Sequence, residues 1–168
     1  MKAVVVYESH WGNTAAIARA IGEGIGPETQ VLATNEASPE VVSEADLLVA
    51  GAPLMGFRLP TDQMLMQVAR QGDSERPPDL THPSMRSWLA ELPARHGFHA
   101  AFETKIRWSP GGATAAIEHE LERTGSRLLS PSQRFVVKGQ HGPLRQGELE
   151  KAREWGEELG QAMAGWTW

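Results

Sequence analysis

Val4-Val5-Val6-Tyr7 is a short, β-branched, nearly unbroken apolar run, the pattern of a strand covered on both faces in a parallel sheet. After a six-residue polar turn, Ile17, Ile21 and Ile25 recur every four residues and Gly26-Pro27 stops the pattern. That is an amphipathic helix with a strong terminator. A buried strand feeding a helix directly calls for further strand–helix units, joined by right-handed crossovers into a parallel sheet.

The alternation continues. Gln30 to Thr34 reads as a second strand, Ser38-Pro39 opens a short helix as N-cap and first turn, and Leu47-Leu48-Val49-Ala50 forms a third strand. Between about Pro53 and Pro83 the pattern weakens: Thr61 caps a short helix with Met64 and Val68, and Gly72 to Pro78 reads as exposed loop, an insertion beside the ligand face. Met85, Trp88, Leu89 and Leu92 restore helical spacing before a fourth strand, His99 to Glu103. A helix carrying Ala113, Ile117 and Leu121 follows Gly111-Gly112 and ends at Gly125, and Phe135-Val136-Val137 is the fifth strand. The last helix, about Gln146 to Ala164, buries Leu149, Ala152, Trp155, Gly156, Leu159 and Met163. The expectation is an α/β fold, a five-stranded parallel sheet with helices on both faces, in a single domain over residues 1–168.

Composition narrows the chemistry. The net charge of −5, without clustered Lys or Arg at either end, argues against nucleic acid. There is no cysteine, so disulfides, thiolate metal sites and thiol relays are excluded, and any redox chemistry needs a bound cofactor. No apolar run approaches the roughly 18 residues of a spanning helix, and no secretion signal precedes the first strand; a soluble, cytoplasmic protein without membrane insertion is expected. Neither a P-loop nor a dinucleotide fingerprint is present, nor a G-x-S-x-G elbow. His96 and His99 stand before and within a strand, where they share no face as metal ligands would. No metal site is expected.

In an open parallel sheet, ligands sit beyond the carboxyl ends of the strands. The loop after the first strand, Ser9-His10-Trp11-Gly12-Asn13-Thr14, offers two hydroxyls, an amide, a flexible glycine and the N–H groups of the following helix, which together can surround a phosphate. No Lys or Arg lies in it, which suits a monophosphate better than a triphosphate with Mg²⁺. The competing reading is a tight strand-to-helix turn in which Thr14 only caps the helix.

Tyr7 to Thr14 with Ile17-Ala18 resembles the FMN phosphate signature of the flavodoxin family, and Ala45 to Pro53 is similar to that family's third strand and first flavin-flanking loop. The resemblance runs from Met1 to about Gly165. It implies sheet order 2-1-3-4-5 with FMN at the switch point, and phosphate binding by Ser9, His10, Trp11, Gly12, Asn13 and Thr14. It further implies that Ala52, Pro53, Leu54, Met55, Gly56 and Phe57 run along one side of the isoalloxazine. Thr104, Lys105, Arg107, Trp108, Gly111 and Gly112 would close the other side. Gly56 matches a loop whose peptide turns over to offer its carbonyl to the reduced flavin; it serves equally as a simple bend.

Two departures from the family stand out. Its usual stacking Tyr is missing, since the lone Tyr7 lies in the first strand. Trp108 is the candidate replacement, with Phe57 and Trp11 in reserve, against the reading that Trp108 only packs on the surface. The acidic surroundings of the flavin are also missing: Lys105 and Arg107 stand in the fourth-strand loop with only Glu103 nearby. Cations there favour an anionic reduced flavin and a less negative second reduction potential, unless both point into solvent. His10 either donates to the ligand or is a solvated loop residue. The turn Gly139 to Leu144 serves helix entry, with partner contact as the weaker reading.

The resemblance implies an FMN electron-transfer protein without catalytic side chains, reduced by a flavoprotein reductase and passing electrons to an unspecified acceptor. One alternative is an NAD(P)H-dependent FMN reductase or oxidase acting on a quinone or porphyrinogen, with Pro60 to Pro83 as substrate wall. Another is a flavin-free interaction module.

Overall fold

The structure is a computed structural model and describes residues 1–71 and 75–166. Strands β1 (Ala3–Tyr7), β2 (Gln30–Ala33), β3 (Leu47–Pro53) and β4 (Phe98–Ile106) form the body of the sheet, followed by β5 (Arg127–Leu128) and β6 (Gln133–Val137). Helices are α1 (Asn13–Ile25), α2 (Pro39–Ser43), α3 (Asp62–Gln71), α4 (Met85–Ala90), α5 (Thr114–Arg123) and α6 (Glu148–Ala164). The sheet is parallel throughout, in the order β2-β1-β3-β4-β5, with β6 also on β4.

The expected order holds, but the fifth position is filled by two segments. β3 occupies one edge of β4 along Phe98 to Thr104. β5 pairs with Phe98 and His99, and β6 with Phe102 to Ile106, so both must lie on the other edge. Leu129 N still reaches His99 O at 2.9 Å. Ser130-Pro131 then breaks the ladder, since proline has no N–H to donate.

Alternation along each strand divides the core between the two faces of the sheet. Val4, Val6, Leu48 and Ala50 pack with Val42, Trp88, Leu89, Ile117 and Leu121 from α2, α4 and α5. Ala3, Val5, Leu47 and Val49 pack with Ile17, Ile21, Trp155 and Leu159 from α1 and α6. Each Val, Leu or Ile among them, fully buried, contributes about 1.5–3 kcal/mol of transfer free energy. α1 and α6 cross closely: a Cβ on Gly24 would lie 2.0 Å from Arg153 O, and one on Gly156 2.2 Å from Ile21 O. Near the end of α1, Gly24 therefore admits another helix, while Gly26 ends its own.

Leu149 is a correction. It is 48% exposed, and Glu148 holds the buried position. The buried stripe of α6 runs Glu148, Ala152, Trp155, Gly156, Leu159, Met163, and Leu149 stands about 100° round the helix from its first member. The Glu148 carboxylate accepts from Val136 N at 3.0 Å and from Arg145 Nη2 at 2.7 Å, which satisfies its charge in place.

α3 belongs to neither layer, and Leu65 is its one buried residue. No helix among the described residues is long and apolar enough to cross a membrane. Gly72, Asp73 and Ser74, part of the loop expected there, lie outside the described residues.

Candidate functional site

At the carboxyl ends of β1, β3, β4 and β6 lies a cavity of about 500 Å³, a volume typical of small-molecule sites. Ser9, His10, Trp11, Asn13, Thr14, Pro53, Leu54, Met55, Gly56, Thr104 and Lys105 line it, as the three loops suggested. Met64, Gln67, Val68 and Gln71 from α3, and Ile106, Ser109, Val137 and Gln140, line it as well. The sequence placed α3 beside the ligand face without identifying these contacts; the i, i+3, i+4, i+7 spacing of 64, 67, 68 and 71 was the available signal.

Gly12 caps α1 with φ 93° and no side-chain cap. Thr14 is therefore not the cap; its hydroxyl meets that of Thr104 at 2.8 Å and ties the first loop to β4. The N–H groups of the first turn of α1 have no acceptor within the helix. Beside them Ser9 Oγ is buried without a hydrogen-bond partner. An unpaired buried hydroxyl costs about 1–3 kcal/mol, and an acceptor entering this loop would relieve that cost.

His10 is neither a solvated residue nor free to bind a ligand through its ring. Nδ1 lies 2.8 Å from Asp79 O and Nε2 2.5 Å from Glu8 Oε2. Both partners are acceptors, so both nitrogens carry protons when Glu8 is a carboxylate. Burial opposes the charged ring, but the hydrogen bond and charge of Glu8, with the Asp79 carbonyl, outweigh it and hold His10 above the ordinary histidine range.

Glu8 Oε1 accepts from Met85 N at 2.7 Å. Asp79 N donates to His10 O at 2.9 Å, Trp11 Nε1 to Arg76 O at 2.9 Å, and His82 Nε2 to Ser9 O at 2.7 Å. The segment from Arg76 to Met85 is thus strapped across Glu8 to Trp11. On the other side, Trp11 meets the His141 ring edge at 4.8 Å, and a Cβ on Gly142 would lie 2.6 Å from Asn13 Oδ1. The Gly139 to Leu144 turn therefore buttresses the loop besides leading into α6.

The remaining expected site residues stand outside the cavity lining. Gly12 borders a smaller neighbouring cavity with Tyr7, Arg19 and His82. Ala52 is buried in the core beneath the loops. Phe57 is 56% and Trp108 78% exposed, and neither is among the residues that line the cavity. Arg107 is exposed in the same turn as Trp108. Gly111 abuts Phe57, where a Cβ would lie 2.1 Å from Phe57 O, and Gly112 faces Glu103 and Arg134. Glu103 is fully buried, with Oε1 3.3 Å from Ala113 N and 3.5 Å from Arg134 Nε, so it offers no acidic rim.

No protein-family model and no curated protein matches the sequence. Solved structures do. A flavodoxin from the domain Archaea superposes with TM-score 0.68 at 22% identity, over 98% of this chain and 99% of that one. An oxidised flavodoxin from Bacillus cereus gives TM-score 0.68 at 15% identity, over 99% and 100%. A flavodiiron core from Synechocystis gives TM-score 0.63 at 19% identity, with 98% of this chain matching 36% of that one. The sheet order agrees with these likenesses, and the chain has a flavodoxin-like fold.

Proposed function

We propose that residues 1–168 form a single FMN-binding domain that works as a cytoplasmic electron-transfer flavoprotein. The observation that carries this reading is the partnerless buried Ser9 hydroxyl beside the first turn of α1, at the end of a cavity of about 500 Å³. A phosphate accepts from hydroxyl, amide and backbone N–H together. Ser9, Asn13 and Thr14 with the first-turn N–H groups would hold it, while His10 keeps the loop in place through Glu8 and Asp79. Leu54, Met55, Met64, Val68, Ile106 and Val137 would exclude water from the ring, and Lys105 sets a cation beside it. When bound, FMN supplies one- and two-electron transfer. The chain's task is binding, orientation and electrostatics, between a flavoprotein reductase as donor and a protein acceptor.

One observation favours a second reading, an FMN-dependent reductase or oxidase: α3 adds Met64, Gln67, Val68 and Gln71 as a wall beyond the three loops, room for a substrate against the flavin.

Titration of the flavin-free protein with FMN, followed by flavin fluorescence, tests the common core. Stoichiometric quenching is expected, and Ser9→Val should weaken affinity about tenfold to a hundredfold, as for a hydrogen bond to a charged group. No binding refutes both readings. Once FMN is bound, oxidation of NAD(P)H by a quinone without a separate reductase selects the enzyme over the carrier.

A further inference from the structure

Four of the loops around the cavity carry a charge opposite to that of the chain. Across residues 9–14, 54–61, 105–113 and 138–147 there is no Asp or Glu, whereas the protein as a whole carries −5. The same loops hold Arg58, Lys105, Arg107, Lys138 and Arg145. Arg145 is taken up by Glu148 at 2.7 Å. Among the described residues the other four form no ion pair, and Arg58, Arg107 and Lys138 are exposed. Carboxylates on the adjoining segments are engaged: Glu103 is buried against Ala113 N, Asp62 accepts from Ser87 Oγ at 3.3 Å, and Asp79 accepts from Thr81 Oγ1 at 2.7 Å.

Two aromatic rings stand in this basic rim. Met55 and Arg58 exchange hydrogen bonds of 3.0 and 3.1 Å around Gly56 and Phe57, whose φ values are 54° and 68°. A two-residue turn with positive φ at both centres favours glycine in the second. Phenylalanine there costs on the order of 1–3 kcal/mol, yet its ring is 56% exposed and gains little from burial. Trp108, on the loop whose Gly111 abuts Phe57, is 78% exposed. Strain that holds an aromatic ring in solvent, on a loop abutting the one that carries a second exposed ring and among cations without ion-pair partners, has the make-up of interface anchors within a charged rim.

We infer that the 54–61 and 105–113 loops form a docking face for the acidic surface of a redox-partner protein, with Phe57 and Trp108 as anchors and Arg58, Lys105, Arg107 and Lys138 as its charges. The electron-transfer role of the face rests on the FMN reading; its binding chemistry does not. The field of the rim steers an acidic partner toward the cavity even though the net charge repels it at long range.

The probe is an acidic plant-type [2Fe–2S] ferredoxin, with basic cytochrome c as its counterpart, titrated calorimetrically into flavin-free and FMN-loaded protein at low and high salt. Ferredoxin should bind both forms at low salt and cytochrome c should not. The combined Arg58→Glu and Arg107→Glu variant should weaken ferredoxin binding at least tenfold, as should Phe57→Gly with Trp108→Ser. Lys2→Glu, at the opposite end of β1, should leave it unchanged; circular dichroism verifies folding of each variant. On rapid mixing, reduced ferredoxin should pass one electron to the FMN-loaded chain, the cluster being oxidised as the flavin is reduced, at a rate that falls as salt rises. Absence of ferredoxin binding, tighter binding of cytochrome c, or an equal loss with Lys2→Glu overturns the proposal. So does a concentration-dependent dimer of the chain that Trp108→Ser dissolves, because a second copy then covers the face. Failure of FMN to bind, with ferredoxin binding intact, refutes the flavin reading alone.

Discussion

His99 stands on β4 with no exposed surface, and its ring has one hydrogen-bond partner among the described residues. The Ser126 hydroxyl gives its proton to Leu121 O at 2.9 Å, so at 2.8 Å from His99 Nδ1 it must accept, and Nδ1 carries the ring proton. Nε2 is then a bare lone pair, buried without a partner. Burial is the main reason its pKa falls from 6.5 to about 4; Glu122 opposes the shift and Arg95 adds to it. The unfolded chain takes up a proton near pH 6.5 that the native ring refuses until about pH 4. The contribution is therefore fully present above pH 6.5 and lost as the pH falls toward 4. At 1.36 kcal/mol per pKa unit the loss is about 3 kcal/mol. Urea unfolding of the wild type and of His99→Asn, from pH 8 to pH 4 (roughly the range over which the ring charges in one state only), should show the wild-type advantage shrinking by that amount. Parallel stability curves, or a native ring that titrates near the ordinary histidine value by NMR, would refute the reasoning.

Gly24→Ala and Gly156→Ala should each destabilise by at least about 2 kcal/mol, because a backbone oxygen cannot yield to the new methyl without parting α1 from α6; denaturant midpoints measure it. His10→Gln removes a group held above its ordinary pKa. The stability owed to that group is fully present below about pH 6.5 and is lost as the pH rises through its raised native value, so the gap between wild type and variant should narrow toward alkaline pH in the same unfolding assay. Lys105→Glu should lower the second flavin reduction potential by on the order of 40 mV per unit of charge, the equivalent of about 1 kcal/mol. An unchanged value in spectroelectrochemistry would mean that Lys105 is screened from the flavin.

Elements set by local periodicity were legible in advance. The unbroken run of β1, the four-residue spacing of α1 and the glycine pair before α5 each carry their own signal. Leu149 was misplaced because the helix start, and with it the phase of the stripe, depends on Glu148 finding Val136 N and Arg145, a contact no spacing reveals. The division of the fifth strand turns on Pro131, a residue that reads equally well as loop. In the site, the phosphate-like loop was legible from its residue types. The network behind it was not, because His10 and Asp79 are 69 residues apart and Glu8 reads simply as the polar residue that ends a strand. Trp108 is a flat ring in the expected loop, but loop curvature, which no periodicity encodes, leaves it in solvent.

The strap across the first loop has a thermodynamic consequence. Conformational entropy that a mobile loop would lose on meeting its ligand is here lost when the chain folds, since Glu8 to Trp11 is already held by Arg76, Asp79, His82 and Met85. On the FMN reading, affinity for the phosphate would thus depend on a segment that lies outside the lining of the larger cavity. Cutting the chain between Arg76 and Met85 would slow association and weaken binding while leaving every ligand-facing atom chemically intact, which makes this stretch the place where the protein's readiness to bind is set.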